Sequence, residues 1–204
     1  MPTFLAILAA LVLIYLFLFR PWYLRWGATP AETALPLPGD ELVAPVKLQS
    51  TRAISIHAPA EKVWQWLVQL GRGRGGMYSY EWLENLAGCD IHNVYEIRPE
   101  LQHMQAGDVV SFGPKGYPQP PVSRVEAGKL LLLGDAVGGT MGWYLFPQPD
   151  GTTRLVARQR NTYNNTLGSI MWHITEPISF VMEQKMLRTL RDLAEGRHAG
   201  LKTK

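Results

Sequence analysis

The residues whose types and spacing suit chemistry begin in "LGRGRGGMYSYEWLENLAG", residues 70–88, where Gly71, Gly73 and Gly76 satisfy G-x-G-x-x-G. That pattern binds a dinucleotide only where a strand enters the loop and a helix leaves it, so that pyrophosphate meets free N–H groups at the helix start. Cys89 and His92 stand at C-x-x-H spacing. A structural zinc site needs four ligands. His57, His103, His173 and His198 are scattered, so no metal is expected. A Cys–His nucleophilic pair also needs an orienting third group and an oxyanion site, and no pattern supplies them. Glu81, Glu84 and Asp90 are carboxylates of the kind that serves acid–base chemistry once an apolar pocket raises the pKa. Nothing in the pattern singles one out, and exposure to solvent is the expectation for all three. Arg154, Arg158 and Arg160 alternate along one face of a predicted strand, most simply a solvated outer face.

The elements that must position these residues follow from periodicity. In "TRAISIHAPAEKVWQWLVQLG", Ala53 to His57 alternates as a strand does. Pro59 suits a first helical position, and Val63, Trp64, Leu67, Val68 and Leu70 follow at helical spacing until Gly71 stops the run. The glycine loop therefore follows a helix and not a strand. The dinucleotide reading fails on that context, leaving Arg72 and Arg74 in a flexible basic loop. Leu83 and Leu86 continue a second helical run to Gly88. After residue 105 the runs "GDVVSFG", "PVSRVEAG", "KLLLLGDA", "TMGWYLFPQ" and "TTRLVARQRN" read as short strands, the last two joined by a hairpin at "PQPDGTT". In that hairpin Trp143 and Leu145 share one face, Tyr144 and Phe146 the other. "EPISFVMEQKMLRTLRDLAEG" then gives a long helix with a stripe of Ile178, Met182, Met186, Leu190 and Leu193. Such an order predicts an α+β fold with antiparallel pairing.

Ahead of this body lies "MPTFLAILAALVLIYLFLF", which carries no charged side chain and runs into "RPWYLRW". A helix needs about 20 apolar residues to cross a bilayer, and Trp22, Tyr23 and Trp26 suit the headgroup belt. Nothing basic precedes Phe4 and no small-x-small cleavage site follows, which favours a retained anchor over a cleaved signal. Arg20 and Arg25 place the body in the cytoplasm by the positive-inside rule, at the inner membrane. The expected organisation is an anchor with its interfacial belt (1–27), an extended Pro-rich spacer (28–48), a folded body (49–198) and a basic tail (199–204). A net charge of +3 without a dense Lys/Arg block argues against nucleic acid. The single cysteine excludes an intrachain disulfide.

The body segments "TRAISIHAPAEKVWQWLVQLGRGRGGMYSYEWLENLAG", "IRPELQHMQAGDVV", "TRLVARQR" and "EPISFVMEQKMLRTLRDLAE" resemble the SRPBCC superfamily. That group includes START domains and polyketide cyclase/dehydrase-like proteins. The similarity is greatest to a bacterial branch with the same Gly-rich, Tyr-Ser-Tyr segment, and it covers about residues 50–195. It implies a helix-grip fold, a curved antiparallel sheet around the C-terminal helix, with a cavity for an apolar molecule such as a lipid, quinone or polyketide. The superfamily shares no catalytic set and no cofactor, so no catalytic residue is expected. Trp64, Tyr78, Tyr80, Trp82, Trp143, Met182 and Met186 are suitable lining types, with core packing as the competing reading. Met182 and Met186 lead, because flexible thioethers adapt to varied shapes. Arg98, Arg158 or Arg160 is the alternative anchor for an acidic head group at the cavity mouth. Three functions remain open: a tethered binding module for a hydrophobic small molecule, a cyclase/dehydrase-type enzyme, and an accessory domain. "NNTLGSIMWHIT", residues 164–175, is an apolar stretch expected either to cover the cavity or to dip into the bilayer, preceded by a glycosylation-type acceptor at Asn164 or Asn165.

Overall fold

The computed structural model describes residues 2–163 and 166–197; the acceptor asparagines, His198 and the basic tail lie outside them. Helix α1 (Pro2–Ile14), a π turn (Tyr15–Phe19) and α2 (Arg20–Leu24) run on as one apolar helix. The most apolar 18-residue window within Thr3–Leu24 has a mean hydropathy of 2.4 and is unburied, so by length and composition this helix can cross a membrane.

Residues 28–48 are not a free spacer. They form a strap across the outer face of the sheet, opened by α3 (Pro30–Ala34). Thr29 and Glu32 close a capping box: Glu32 N–H donates to Thr29 Oγ1 at 3.2 Å, and Thr29 N–H to the Glu32 carboxylate at 2.7 Å. Leu37 joins Ala53, Leu130, Leu132, Tyr144 and Val156 in an apolar cluster, and the Tyr144 hydroxyl donates to the Pro38 carbonyl at 2.6 Å. Proline content stiffens a segment whatever its position. The apolar partners decide that this one lies on the body.

The strap leads into β1 (Leu48–Ile56), α4 (Ala60–Leu67) and α5 (Glu81–Leu86). Then come β2 (Val122–Glu126), β3 (Leu130–Asp135), β4 (Gly139–Pro147), β5 (Thr153–Asn161) and α6 (Thr166–Ala194). The strands form one antiparallel sheet in the order β1-β5-β4-β3-β2. The β4–β5 hairpin turns where predicted, with Gln148 N–H donating to the Thr152 carbonyl at 2.8 Å. The predicted strand at "GDVVSFG" reduces to a single bridge, Val109 to Pro121. Its neighbour there carries Pro118, Pro120 and Pro121, which have no N–H to offer a ladder. Pro59 sits one position earlier than predicted, as the N-cap of α4.

Alternation sends Ile54, Ile56, Leu131, Leu133, Trp143, Leu145, Leu155 and Ala157 to the inner face. There they meet Val63, Trp64 and Leu67 of α4 and Met186, Leu187, Leu190 and Leu193 of α6. Tyr144 and Phe146 belong to the outer cluster beneath the strap, so the predicted split of the hairpin holds. With both faces covered, the "LLLL" run of β3 is buried throughout. Helix α6 spans 29 residues and starts well before the predicted helix, continuing through Pro177. Only its second half belongs to the core. Ile178, expected in the inward stripe, is exposed.

Candidate functional site

Between the inner face of the sheet and helices α4 and α6, the structure brings together four of the expected lining residues: Trp64, Tyr78, Trp143 and Met186 share one apolar cluster. Met182 is half-buried at its edge. Tyr80 and Trp82 are not there. They flank the start of α5 and are 37% and 68% exposed, because α5 turns its inward face through Glu84 instead. Trp143 is fully buried, yet among the described residues its indole Nε1–H has no partner, and the hydroxyl of buried Thr189 on α6 has none either. Buried polar atoms are nearly always paired, and an indole N–H in a core normally finds an acceptor.

The arginine face of β5 is not solvated, because the strap covers it. Arg158 is 3% exposed. Its Nε donates to Thr51 Oγ1 at 3.1 Å, Nη1 to the Leu35 carbonyl and Asp40 Oδ2, both at 2.7 Å, and Nη2 to the carbonyls of Glu32 and Thr33 at 2.8 and 3.1 Å. A guanidinium has five N–H donors, and these partners take them all. Arg158 therefore has nothing left for an acidic head group. Arg160 pairs with Asp40 at 3.1 Å. Arg154 grips Glu32, whose carboxyl it holds down at about 2, chiefly through that hydrogen bond. Arg98 alone of the three expected anchors keeps a half-exposed side chain, 3.4 Å from Glu96.

The Gly-rich loop is also ordered differently from the flexible basic loop expected. Gly71 and Gly76 bridge each other, and Arg74 folds inward so that Nη2 donates to the carbonyls of Val68 and Leu101, each at 3.1 Å. Gln69, fully buried, organises the neighbourhood. Its amide donates to Tyr78 Oη at 3.1 Å, and its Oε1 accepts from Arg98 N–H at 2.6 Å and Gln102 Nε2 at 3.1 Å. Burial pushes the Tyr78 hydroxyl up to about 12. Sequence reading missed Gln69, whose only signal was a polar residue amid the apolar "WLVQLG" run.

Beyond this hub a second cluster assembles. Ser79 Oγ donates to Glu84 Oε1, while Glu84 Oε2 is buried and has no partner among the described residues. Buried Cys89 lies within electrostatic reach of Glu84 and Arg72. The cluster is bracketed by two non-glycine residues in the left-handed region, Tyr78 (φ 54°) and Asp90 (φ 52°). Such conformations persist only where the surroundings enforce them, and they concentrate at working sites. Burial raises the Glu84 carboxyl above its ordinary 4.5 and raises the Cys89 thiol as well. Cys89 is thus no ready thiolate. Glu84, expected in solvent, is instead buried. His92 lies outside, against Glu81 at 3.2 Å and Asp90 at 3.4 Å. Among the described residues no three His, Cys, Asp or Glu side chains gather as metal ligands.

The Glu84 shift has a consequence for stability. A folded-state pKa above the unfolded value means the folded chain holds the extra proton, so its stabilisation is complete below the ordinary carboxyl range and is lost as pH rises through the folded pKa. Melting temperature measured from pH 4.5 upward is expected to fall more steeply for the native protein than for Glu84→Gln. Parallel curves would show that Glu84 titrates normally.

An open cleft of about 700 Å³ lies on the opposite side, lined by Glu32, Leu35, Phe146, Gln148, Asp150 and Arg154. None of the expected lining residues borders it.

No protein-family model matches the chain, and no curated protein does. Solved structures do overlay. EF2215 of Enterococcus faecalis, a conserved protein of unknown function, aligns at 14% identity over 74% of this chain and 73% of its own, with a TM-score of 0.45. KanY aligns at 12% identity over 73% and 98%, TM-score 0.48. DynU16, a protein of the dynemicin biosynthetic locus, aligns at 17% identity over 70% and 46%, TM-score 0.40. None of the three TM-scores reaches one half, and no ligand or reaction passes from these proteins to this chain.

Proposed function

We propose that the chain is a membrane-anchored helix-grip module that holds an apolar molecule between the inner face of its sheet and the second half of α6. The observation that carries this reading is the Trp143 indole N–H, fully buried at the centre of the sheet and unpaired among the described residues. A donor in such a place is satisfied by an oxygen on an otherwise apolar frame, as in a lipid, an isoprenoid quinone or a polyketide-like molecule. The apolar N-terminal helix supplies the anchor, and Arg20 and Arg25 put the body on the cytoplasmic side of the inner membrane. The test is gentle purification of the full chain in detergent, solvent extraction and mass spectrometry against a mock purification. An oxygen-bearing apolar molecule near equal stoichiometry is expected, with retention reduced roughly 5–10-fold in Trp143→Phe, the worth of one hydrogen bond. A folded protein that carries no such molecule overturns the reading, as does retention that Trp143→Phe leaves unchanged.

Glu84 favours a second reading, acid–base catalysis of cyclase/dehydrase type. A buried carboxyl that holds its proton more tightly than an exposed one is a suitable donor to a substrate oxygen. Under this reading Glu84→Gln abolishes turnover of an aromatic or isoprenoid-like substrate while leaving binding intact.

A further inference from the structure

The first half of α6 has no role in the core. Ile170, Ile174, Ile178 and Val181 are 52%, 59%, 54% and 45% exposed. Spaced four, four and three residues apart, they make one apolar face over three turns. The carboxylate among these turns points the other way: Glu176 is buried, receiving Arg20 Nε at 3.0 Å, Arg20 Nη2 at 3.2 Å and the Tyr23 hydroxyl at 3.1 Å. One turn on, Phe180 packs against Trp22 and Tyr23 with ring centroids 5.4 Å apart in each case, and against Trp26 at 6.4 Å. Two turns further, the Arg188 guanidinium lies 5.3 Å from the Trp26 ring.

These pairings ascend together along both helices, so the end of the N-terminal helix and α6 run in the same direction. The turns of α6 before Glu176 therefore lie on the side of Arg20 from which the apolar helix arrives. Arg20, Lys47, Trp172, His173 and Glu176 line a small crevice at that level; Arg20 and Glu176 pair with each other there, while Lys47 and Trp172 are residue types suited to the headgroup layer. Exposed Phe19 and Trp22 continue the apolar surface from the span toward the stripe.

We infer that the first half of α6 lies in the interfacial layer of the same bilayer, with Ile170, Ile174, Ile178 and Val181 sunk into the headgroup–acyl boundary. This rests on the anchor reading above and extends it: the body sits on the membrane, with the lipid surface as the partner of that face. Continuity with the span identifies lipid as the occupant in preference to a second copy of the chain.

The test uses the full chain in vesicles of phosphatidylcholine and phosphatidylglycerol, nitroxide-labelled one site at a time at Leu11→Cys, Ile174→Cys, Ile178→Cys and Asp150→Cys. The native chain, whose only cysteine is buried, is the labelling control. Accessibility to oxygen, which concentrates in lipid, is compared with accessibility to a polar nickel chelate. Positions 174 and 178 are expected to resemble position 11, with an oxygen-to-nickel ratio several-fold above that at position 150. A nickel-accessible 174 and 178 beside an oxygen-accessible 11 overturns the inference and leaves the anchor standing. Exclusion of both reagents from 174 and 178 shows protein covering the stripe and overturns it too. A nickel-accessible position 11 overturns the anchor and the inference together.

Discussion

Replacing Arg158 with leucine is expected to destabilise the protein by about 3–5 kcal/mol, the cost of removing one partner from a buried, charged and fully hydrogen-bonded arrangement. The loss falls on named groups. The carbonyls of Glu32, Thr33 and Leu35 lose their donors, and Asp40 keeps Arg160 and the Leu37 N–H but loses its buried cation. Against a total stability of about 5–15 kcal/mol this is a large fraction. The damage should appear first in the strap, so limited proteolysis is expected to cut within residues 28–47 before the sheet melts. Arg158→Lys should recover little, because an ammonium cannot reach partners spread across a planar fork. Chemical denaturation of the full chain in detergent measures the difference. A loss below about 1 kcal/mol, the worth of an exposed pair, would mean that the strap is held by Leu37, Tyr144, Arg154 and Arg160 with little from Arg158.

Arg52 carries the second large effect. It is 1% exposed on β1, ion-paired to Glu183 of α6, with Nε donating to the Tyr23 carbonyl at 2.9 Å and the guanidinium 5.2 Å from the Phe180 ring. Arg52→Met is expected to cost about 3–5 kcal/mol, much of it from a Glu183 carboxylate left nearly buried without its cation. Arg52→Met combined with Glu183→Leu should therefore be more stable than Arg52→Met alone. A double variant whose loss equals the sum of the two single losses would refute the pairing as the source of the effect.

The sequence made the secondary structure legible where a period was clean. The β4–β5 hairpin, its two faces and the helix from Ala60 follow directly from alternation and helical spacing. The strap did not, because a segment of four prolines looks alike whether it floats or packs, and its partners Leu132, Tyr144 and Val156 lie roughly a hundred residues away. The same gap misled the reading of Arg158: alternation placed it correctly on the outer face but said nothing of what covers that face. Of the residues expected to line a cavity, Trp64, Tyr78, Trp143 and Met186 fall in one buried apolar cluster, whereas Tyr80 and Trp82 lie outside it, where the turn at left-handed Tyr78 re-aims the chain. Glu84 was one carboxylate among three nearby. Only the fold separates it from Glu81 and Asp90, by burying it.

The joint formed by Arg20, Arg52, Glu176 and Glu183 also changes how the body moves. A domain on a slack leash tumbles independently and meets a membrane-dissolved molecule from any bearing. Here two arginines rivet the end of the apolar helix to β1 and α6, and Gly27, with its left-handed φ of 72°, turns the chain directly onto the sheet. With the span in a bilayer, body and span tilt and rotate as one. On the proposed reading, any opening in the body then keeps a constant height above the lipid, and the search for a partner within that lipid becomes a two-dimensional one.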